Sequence, residues 1–294
     1  MSSLDNLEDA FSRVLGRSNV LLEGNISARH FADWSLAPPK SPHVLLRPNS
    51  TEKLSKILSI CNSHNQPVVV QGGMTGLAGG ATPQSREVAI SLELLSGVQE
   101  IDQVGMTLSA LAGTPLQVLQ EAAMQYNLVL PLDLAARGSC SIGGNIATNA
   151  GGTEVLRYGM ARSHVLGLEA VLADGTIVNS MNKMVKNNSG YDLKQLFIGS
   201  EGTLGIISRV VLQLQPQYQA THTALCALND YQSIIKVLNA FKRWLGAGLT
   251  GFEVMWAAYY RRVLEVLPSL DDPFSHQHPF YLLVEYKDNR AEES

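Results

Sequence analysis

Cysteine is scarce in this 294-residue chain: Cys61, Cys140 and Cys226 are widely spaced and form no CxxC pair. That spacing supplies neither a disulfide framework nor a thiolate zinc site, and the simplest compartment for it is a reducing one. Charge is also sparse, with 22 Lys and Arg against 26 Asp and Glu and a net charge of −4. Such a balance implies no basic face and argues against a general nucleic-acid binder. The densest basic pair, Arg261-Arg262, reads as a solvated helix face. No window has the length and apolarity of a membrane span. The opening MSSLDNLEDAFSRVLG has no basic n-region and no apolar h-region, and carries Asp5, Glu8 and Asp9. That composition disfavours a secretory or transit segment. A cytoplasmic protein with no nucleic-acid partner and no membrane span is expected. Two nucleotide signatures are missing as well. There is no GxxxxGK[ST] run, and the glycines do not fall into GxGxxG, which disfavours a Walker A loop and a nicotinamide-binding Rossmann turn.

What the chain has is glycine in clusters. The largest is Pro131 to Gly152, PLDLAARGSCSIGGNIATNAGG, with almost no helical or strand periodicity. A long surface loop is the plain alternative, but structureless stretches of this length inside a compact domain are uncommon and usually functional. Gln71 to Ala81, QGGMTGLAGGA, follows the apolar run Val68–Val70, and Gly199 to Gly205, GSEGTLG, precedes Ile206–Leu214.

Around these clusters the pattern is mixed. Leu4–Leu15 reads as an amphipathic helix, followed by a polar passage to Pro42. His43–Arg47 reads as a strand, and Ser50 or Thr51 can cap a helix whose Leu54, Ile57, Leu58 and Cys61 share one face. Strands are expected at Val68–Val70, Val88–Leu92, Val98–Asp102 and Met106–Ala112, with a helix from Pro115. A hairpin turns at Ala173-Asp174-Gly175. Beyond Pro216 the pattern becomes strand, helix, strand, helix, strand without glycine-rich loops. The expected divisions are an N-terminal helical segment at 1–40, a ligand domain at 41–217 with parts at 41–97 and 98–217, and the start of an α+β domain at 218–294.

Three glycine clusters at strand ends of one domain can converge on one ligand. Gln71–Ala81 offers backbone N–H groups with little side-chain obstruction, and such nests bind phosphate oxygens. Ser139, Ser141, Asn145 and Thr148 add neutral donors and acceptors. A large, mostly planar ligand with a pyrophosphate, such as FAD, meets that description.

The segments QGGMTGLAGG (Gln71–Gly80), PLDLAARGSCSIGGNIATNAGG, RYG (Arg157–Gly159), VLGLEAVLADGT (Val165–Thr176) and NNSGYDLKQLFIGSEGTLGII (Asn187–Ile207) carry a resemblance. In order and spacing they resemble the vanillyl-alcohol oxidase / p-cresol methylhydroxylase superfamily, in its D-lactate / D-2-hydroxyglutarate dehydrogenase group. The resemblance implies an α+β fold: a two-subdomain FAD-binding domain of the p-cresol methylhydroxylase type, followed by the start of a cap domain. It implies that Gly72, Gly73, Met74, Thr75, Gly76 and Leu77 form the pyrophosphate loop, continued by Gly80 and Ala81. It places Pro131, Leu132, Asp133, Ser139, Ile142, Gly143, Asn145, Ala147 and Thr148 along the ribityl chain and ring. Gly202, Leu204, Gly205 and Ile206 fall near the adenine or the ring end. Met74 stands where covalent members often have histidine, so non-covalent FAD is implied.

The implied activity is oxidation of a D-2-hydroxy acid to the 2-oxo acid. Hydride passes to flavin N5 and electrons go to a quinone, an electron-transfer flavoprotein or a cytochrome rather than NAD. A homodimer is compatible with the resemblance. Lys186, Asn188 and Tyr191 are candidates to orient substrate; the alternative is that Tyr191 packs and Asp192 caps the next helix. The group's HxHxGDGNxH-type motif, which builds the base and a divalent metal site, is absent from this sequence. The resemblance is therefore to a C-terminally truncated enzyme, with no catalytic residue and no metal ligand assigned here. The alternative is an auxiliary or truncated FAD-binding subunit without its own base. His276-Gln277-His278, between Pro273 and Pro279, reads as a loop without a third ligand, and His164 and His222 as packed or solvent-facing residues.

Overall fold

A computed structural model describes residues 3–84 and 87–289. The chain divides into two compact units. The first comprises residues 1–130, 135–150 and 161–216, and the second comprises 131–134, 151–160 and 217–294.

The first unit opens with helix α1 (Ser3–Leu15) and the short strand β1 (Val20–Leu22). Next come β2 (Val44–Leu46), α2 (Thr51–Ser63), β3 (Val68–Gln71) and β4 (Val88–Ser91). These strands form a sheet in the order β1-β2-β4-β3, with β2 and β3 parallel to β4 and β1 antiparallel to β2. Parallel neighbours require a crossover, and α2 supplies it between β2 and β3. Ser50 caps α2 by accepting from the Lys53 N–H at 3.3 Å, and Leu54, Ile57, Leu58 and Cys61 are buried on one face. The polar passage holds β1, which pairs Val20 with Leu46 through Leu22 with Val44.

The second sheet of this unit is antiparallel, in the order β5-β6-β10-β8-β9. Its strands are β5 (Val98–Asp102), β6 (Thr107–Leu111), β8 (Val165–Val171), β9 (Ile177–Ser180) and β10 (Ile206–Gln213). Helix α3 (Leu116–Met124) follows β6, and β7 (Leu128–Val129) pairs with β11 (Gln215–Pro216). Inside the glycine-rich stretch lies a short helix, α4 (Ile142–Ala147), where no periodicity is visible. Four residues form α6 (Lys194–Phe197); its N-cap is Leu193, and the Asp192 carboxylate holds Lys194 Nζ and Gln195 Nε2 instead of a backbone amide.

One buried carboxylate ties α2 to the second sheet. Glu169 on β8 accepts from Thr51 Oγ1 at 2.9 Å and Ser208 Oγ at 2.8 Å, and Arg209 stands 3.6 Å away. A buried charge persists when hydrogen bonds and a counter-charge surround it.

The second unit has a three-stranded antiparallel sheet in the order β12-β14-β13. Its elements are α5 (Val155–Tyr158), β12 (Ala220–Leu228), α7 (Tyr231–Leu245), β13 (Leu249–Trp256), α8 (Ala257–Val266) and β14 (Phe280–Asp288). Val237, Leu238, Phe241 and Leu245 of α7 pack on Leu249, Leu282 and Val284. On α8, Tyr260 stacks on Tyr281 with ring centroids 3.7 Å apart. Because Tyr281 and Leu282 alternate, the two helices cover opposite faces. Pro131–Leu134 and α5 belong here, unlike in the division at 217/218 read from the sequence, because α5 packs on β13. Gly152 lies so close to Asp133 that a Cβ would be 1.7 Å from its carbonyl oxygen.

Candidate cofactor site

β3 delivers the chain into the Gln71–Ala81 loop. Among the described residues, no amide from Gly72 to Gly80 donates a hydrogen bond to the protein. Met74 takes a left-handed φ of 57°, a conformation that costs energy for a non-glycine residue. The loop is half-buried to exposed, so its amides stand ready for an external acceptor.

The three glycine clusters meet in the first unit. A Cβ on Gly73 would lie 2.0 Å from Ser139 O and 2.7 Å from Cys140 Cα, and one on Gly72 would lie 2.4 Å from Ser141 Oγ. Backbone therefore touches backbone where these two clusters cross. The third cluster reaches the first where Gly80 faces Glu201 Oε2 and Gly202 abuts Val70. It reaches the second through Glu201 N–H to Ala147 O at 2.9 Å and Gly199 N–H to Ile146 O at 3.1 Å. Glu201 and Asn149 have left-handed φ values of 52° and 49°. A cavity of about 320 Å³ sits beside this junction, lined by Val68–Val70, Gly79, Gly80, Thr82, Glu87, Val171 and Glu201–Ile206 among others. Gly80, Gly202, Leu204, Gly205 and Ile206 thus share one cavity wall.

The middle cluster differs from the first in having its amides engaged. Ile142 and Gly143 donate to Thr114 O and Ala112 O, Ser139 to Ala136 O, Asn145 to Ser141 O and Thr148 to Gly144 O. Ile142, Gly143 and Asn145 are buried, and Asn145 Nδ2 contacts Cys140 Sγ at 3.4 Å. Ala147 is half-buried, and Ser139 and Thr148 are exposed. Pro131 and Leu132 are buried and Asp133 half-buried within the second unit. Lys186, Asn188 and Tyr191 lie in an exposed irregular segment; Tyr191 is 96% exposed, so it does not pack.

Sequence reasoning passed over residues 26–42, which brace the first cluster. Trp34 N–H donates to Gly76 O at 2.8 Å. Burial opposes the charge of Asp33, yet hydrogen bonds from Ser35, the Ala81 amide and Thr82 outweigh it and hold this carboxyl below its ordinary pKa. His30 Nδ1 is 2.8 Å from Gln71 Oε1, and burial lowers its pKa. Histidine and aspartate in a polar passage give no periodic signal, so no sequence pattern exposed them.

Among the described residues, no group of three His, Cys, Asp or Glu side chains could hold a metal ion. His276 contacts Ser275 Oγ and His278 contacts Asn229 Oδ1. His222 stacks on Tyr286, and His164 is buried with its pKa lowered by that burial. No described helix is long and apolar enough to cross a membrane.

Unpaired amides, backbone-to-backbone glycine contacts and a neighbouring cavity fit a dinucleotide cofactor, and residues 42–180 match the FAD binding domain family. The chain carries an FAD binding domain. Relatives include the probable D-2-hydroxyglutarate dehydrogenase, mitochondrial, of Oryza sativa subsp. indica, 42% identical over 94% of this chain and 49% of its own length. The D-2-hydroxyglutarate dehydrogenases, mitochondrial, of Arabidopsis thaliana and Danio rerio are 40% and 39% identical, over 97% and 96% of this chain and 51% and 52% of their own lengths. The chain spans about half the length of the curated relatives it matches.

The solved structure of p-cresol methylhydroxylase with substrate bound aligns with a TM-score of 0.75 at 17% identity, over 97% of this chain and 61% of that one. Alkyldihydroxyacetonephosphate synthase aligns at 0.78 and 18%, over 97% and 56%. The FAD binding domain thus has the p-cresol methylhydroxylase-type fold. The expectation of a cytoplasmic protein is overturned, since these plant and fish relatives are named mitochondrial. Free thiols suit the reducing mitochondrial matrix as well as cytosol, so cysteine usage could not separate the two.

Proposed function

We propose that this chain is the FAD-binding part of a dehydrogenase that oxidises a D-2-hydroxy acid of the 2-hydroxyglutarate type to its 2-oxo acid. Electrons then pass to an acceptor other than NAD: a quinone, an electron-transfer flavoprotein or a cytochrome. The mitochondrion is the proposed compartment, by the names of the relatives. The observation that carries the reading is the run of unpaired amides at Gly72–Gly80 in a chain about 40% identical to such dehydrogenases. When bound, FAD supplies a hydride acceptor at N5. The amides of Gly72–Gly80 would receive the diphosphate, Ser139, Asn145 and Thr148 would offer neutral polar groups, and Gly202–Ile206 would line the cavity beside them. Met74 offers the flavin no nucleophile at its own position, which supports non-covalent binding. Lys186, Asn188 and Tyr191 are the proposed substrate-facing residues, supported by their exposure.

The test is anaerobic mixing of the FAD-loaded protein with D-2-hydroxyglutarate or D-lactate while flavin absorbance is followed. Bleaching supports the enzyme. Retained colour with FAD bound supports the second reading, an FAD-binding part without its own base. That reading is supported by the half-length coverage of the relatives. A protein that takes up no FAD would sink both.

A further inference from the structure

Gln71 is the last residue of β3, and its side chain reaches across the glycine loop that follows. Its Nε2 donates to Ala81 O at 3.1 Å, ten residues on, and to His30 O at 2.9 Å. One amide group therefore joins the exit of the loop to its entrance. Gln71 is fully buried and His30 is 4% exposed. The neighbours of His30 set its tautomer. Arg29 Nε–H donates to Nε2 at 3.2 Å, which leaves Nδ1 to donate to Gln71 Oε1 at 2.8 Å. Gln71 Oε1 can only accept, so both of its Nε2 hydrogens are free for the two carbonyls. The resulting chain runs Arg29 to His30 to Gln71 to Ala81, each link with a defined donor.

We propose that Gln71 and His30 are positioning residues that close the Gly72–Gly80 loop and hold its unpaired amides in the conformation that receives the cofactor diphosphate. This rests on the FAD reading above and names residues outside the glycines that bind. Loop closure orders a segment whose own amides form no protein hydrogen bonds, so without the clamp that ordering must come from binding. Both forms of His30 keep an Nδ1–H for Gln71 Oε1, but only the neutral ring is also held in place by Arg29. Protonation turns Nε2 into a donor, breaks the Arg29 bond and sets an imidazolium beside Arg29 and Arg47. Glu93, which pairs with both guanidiniums, offsets part of that repulsion.

The experiment measures FAD and ADP affinity for the whole chain by flavin fluorescence and calorimetry, with hydrogen exchange of the Gly72–Gly80 peptide. Wild type is compared with Gln71→Ala and His30→Asn across about pH 7.5 to 5. Removing the Gln71 bonds is expected to weaken both ligands about tenfold. It also speeds exchange in this peptide while the second sheet of the unit is unchanged. Asn can still donate to Gln71 Oε1, so His30→Asn retains most of the affinity. It also loses the acid weakening that wild type shows. If Gln71→Ala does not fold, the His30→Asn pH profile decides alone. Equal affinity and exchange in Gln71→Ala and wild type, or one shared pH profile for His30→Asn and wild type, overturns the clamp and leaves the FAD reading standing. A wild-type chain that binds neither FAD nor ADP overturns the FAD reading and the clamp with it.

Discussion

Gly73 has little room on either side of its backbone. A methyl group there would meet Ser139 O at 2.0 Å and Cys140 Cα at 2.7 Å, and both are backbone atoms that cannot rotate away. Gly73→Ala is therefore expected to destabilise the chain by about 1–3 kcal/mol, read from urea midpoints, and to weaken FAD binding. Gly16 is the contrast: nothing crowds it, and its positive φ of 83° rather than a close neighbour is what favours glycine there. Two buried histidines set a pH dependence. Burial lowers the pKa of both His30 and His164, so each is neutral in the folded protein. The unfolded chain binds those protons at the ordinary histidine value, so stability is complete above about pH 6.5 and declines as pH falls towards the folded values. Urea midpoints at about pH 7.5 and 5.5 should differ in that direction, with a shallower slope in His164→Gln. Equal midpoints would show that neither histidine is protonated on unfolding. His30 and Asp33 were illegible beforehand because their roles depend on partners 41 and 49 positions away.

At the scale of elements, α2 joins the two sheets of the first unit. Ser50→Ala removes the acceptor for the Lys53 amide and should cost about 1 kcal/mol. Glu169→Ala leaves the Thr51 hydroxyl without its acceptor and Ser208 Oγ with only the carbonyl oxygen of residue 169, and should cost about 1–3 kcal/mol. Glu169→Gln keeps one acceptor oxygen and should cost less; calorimetric melting separates the three variants. Helix α2 and strand β3 were readable because their apolar spacing repeats over several residues. Strand β1 and helix α4 were not. β1 has three residues and exists through its pairing with β2. α4 contains Gly143 and Gly144, poor helix formers, and is held by the Ser141 cap and by the carbonyls of Ala112 and Thr114.

For the whole molecule, the expected signature is ligand-linked stability. If the first unit holds FAD, its melting transition should rise with FAD concentration, by about 2.7 kcal/mol at a hundredfold excess over Kd. A transition indifferent to FAD would contradict the site built from the glycine clusters. The discontinuous second unit makes the FAD response the better marker of which segments unfold together, because 131–134 and 151–160 belong to it despite their place in the sequence.

The sequence alone determined the mixed α/β elements, the three glycine clusters and the kind of ligand they suit, because periodicity and glycine content are local properties. Tertiary structure decided which amides are left over. Pro131–Gly152 and Gln71–Ala81 look alike as strings, yet the amides of Ile142, Gly143, Asn145 and Thr148 meet carbonyls while those of Gly72–Gly80 meet none among the described residues. It also decided that His30, Asp33 and Gln71 brace that loop. A hydrogen bond between distant residues exists when the fold brings donor to acceptor, and no spacing in the chain announces it.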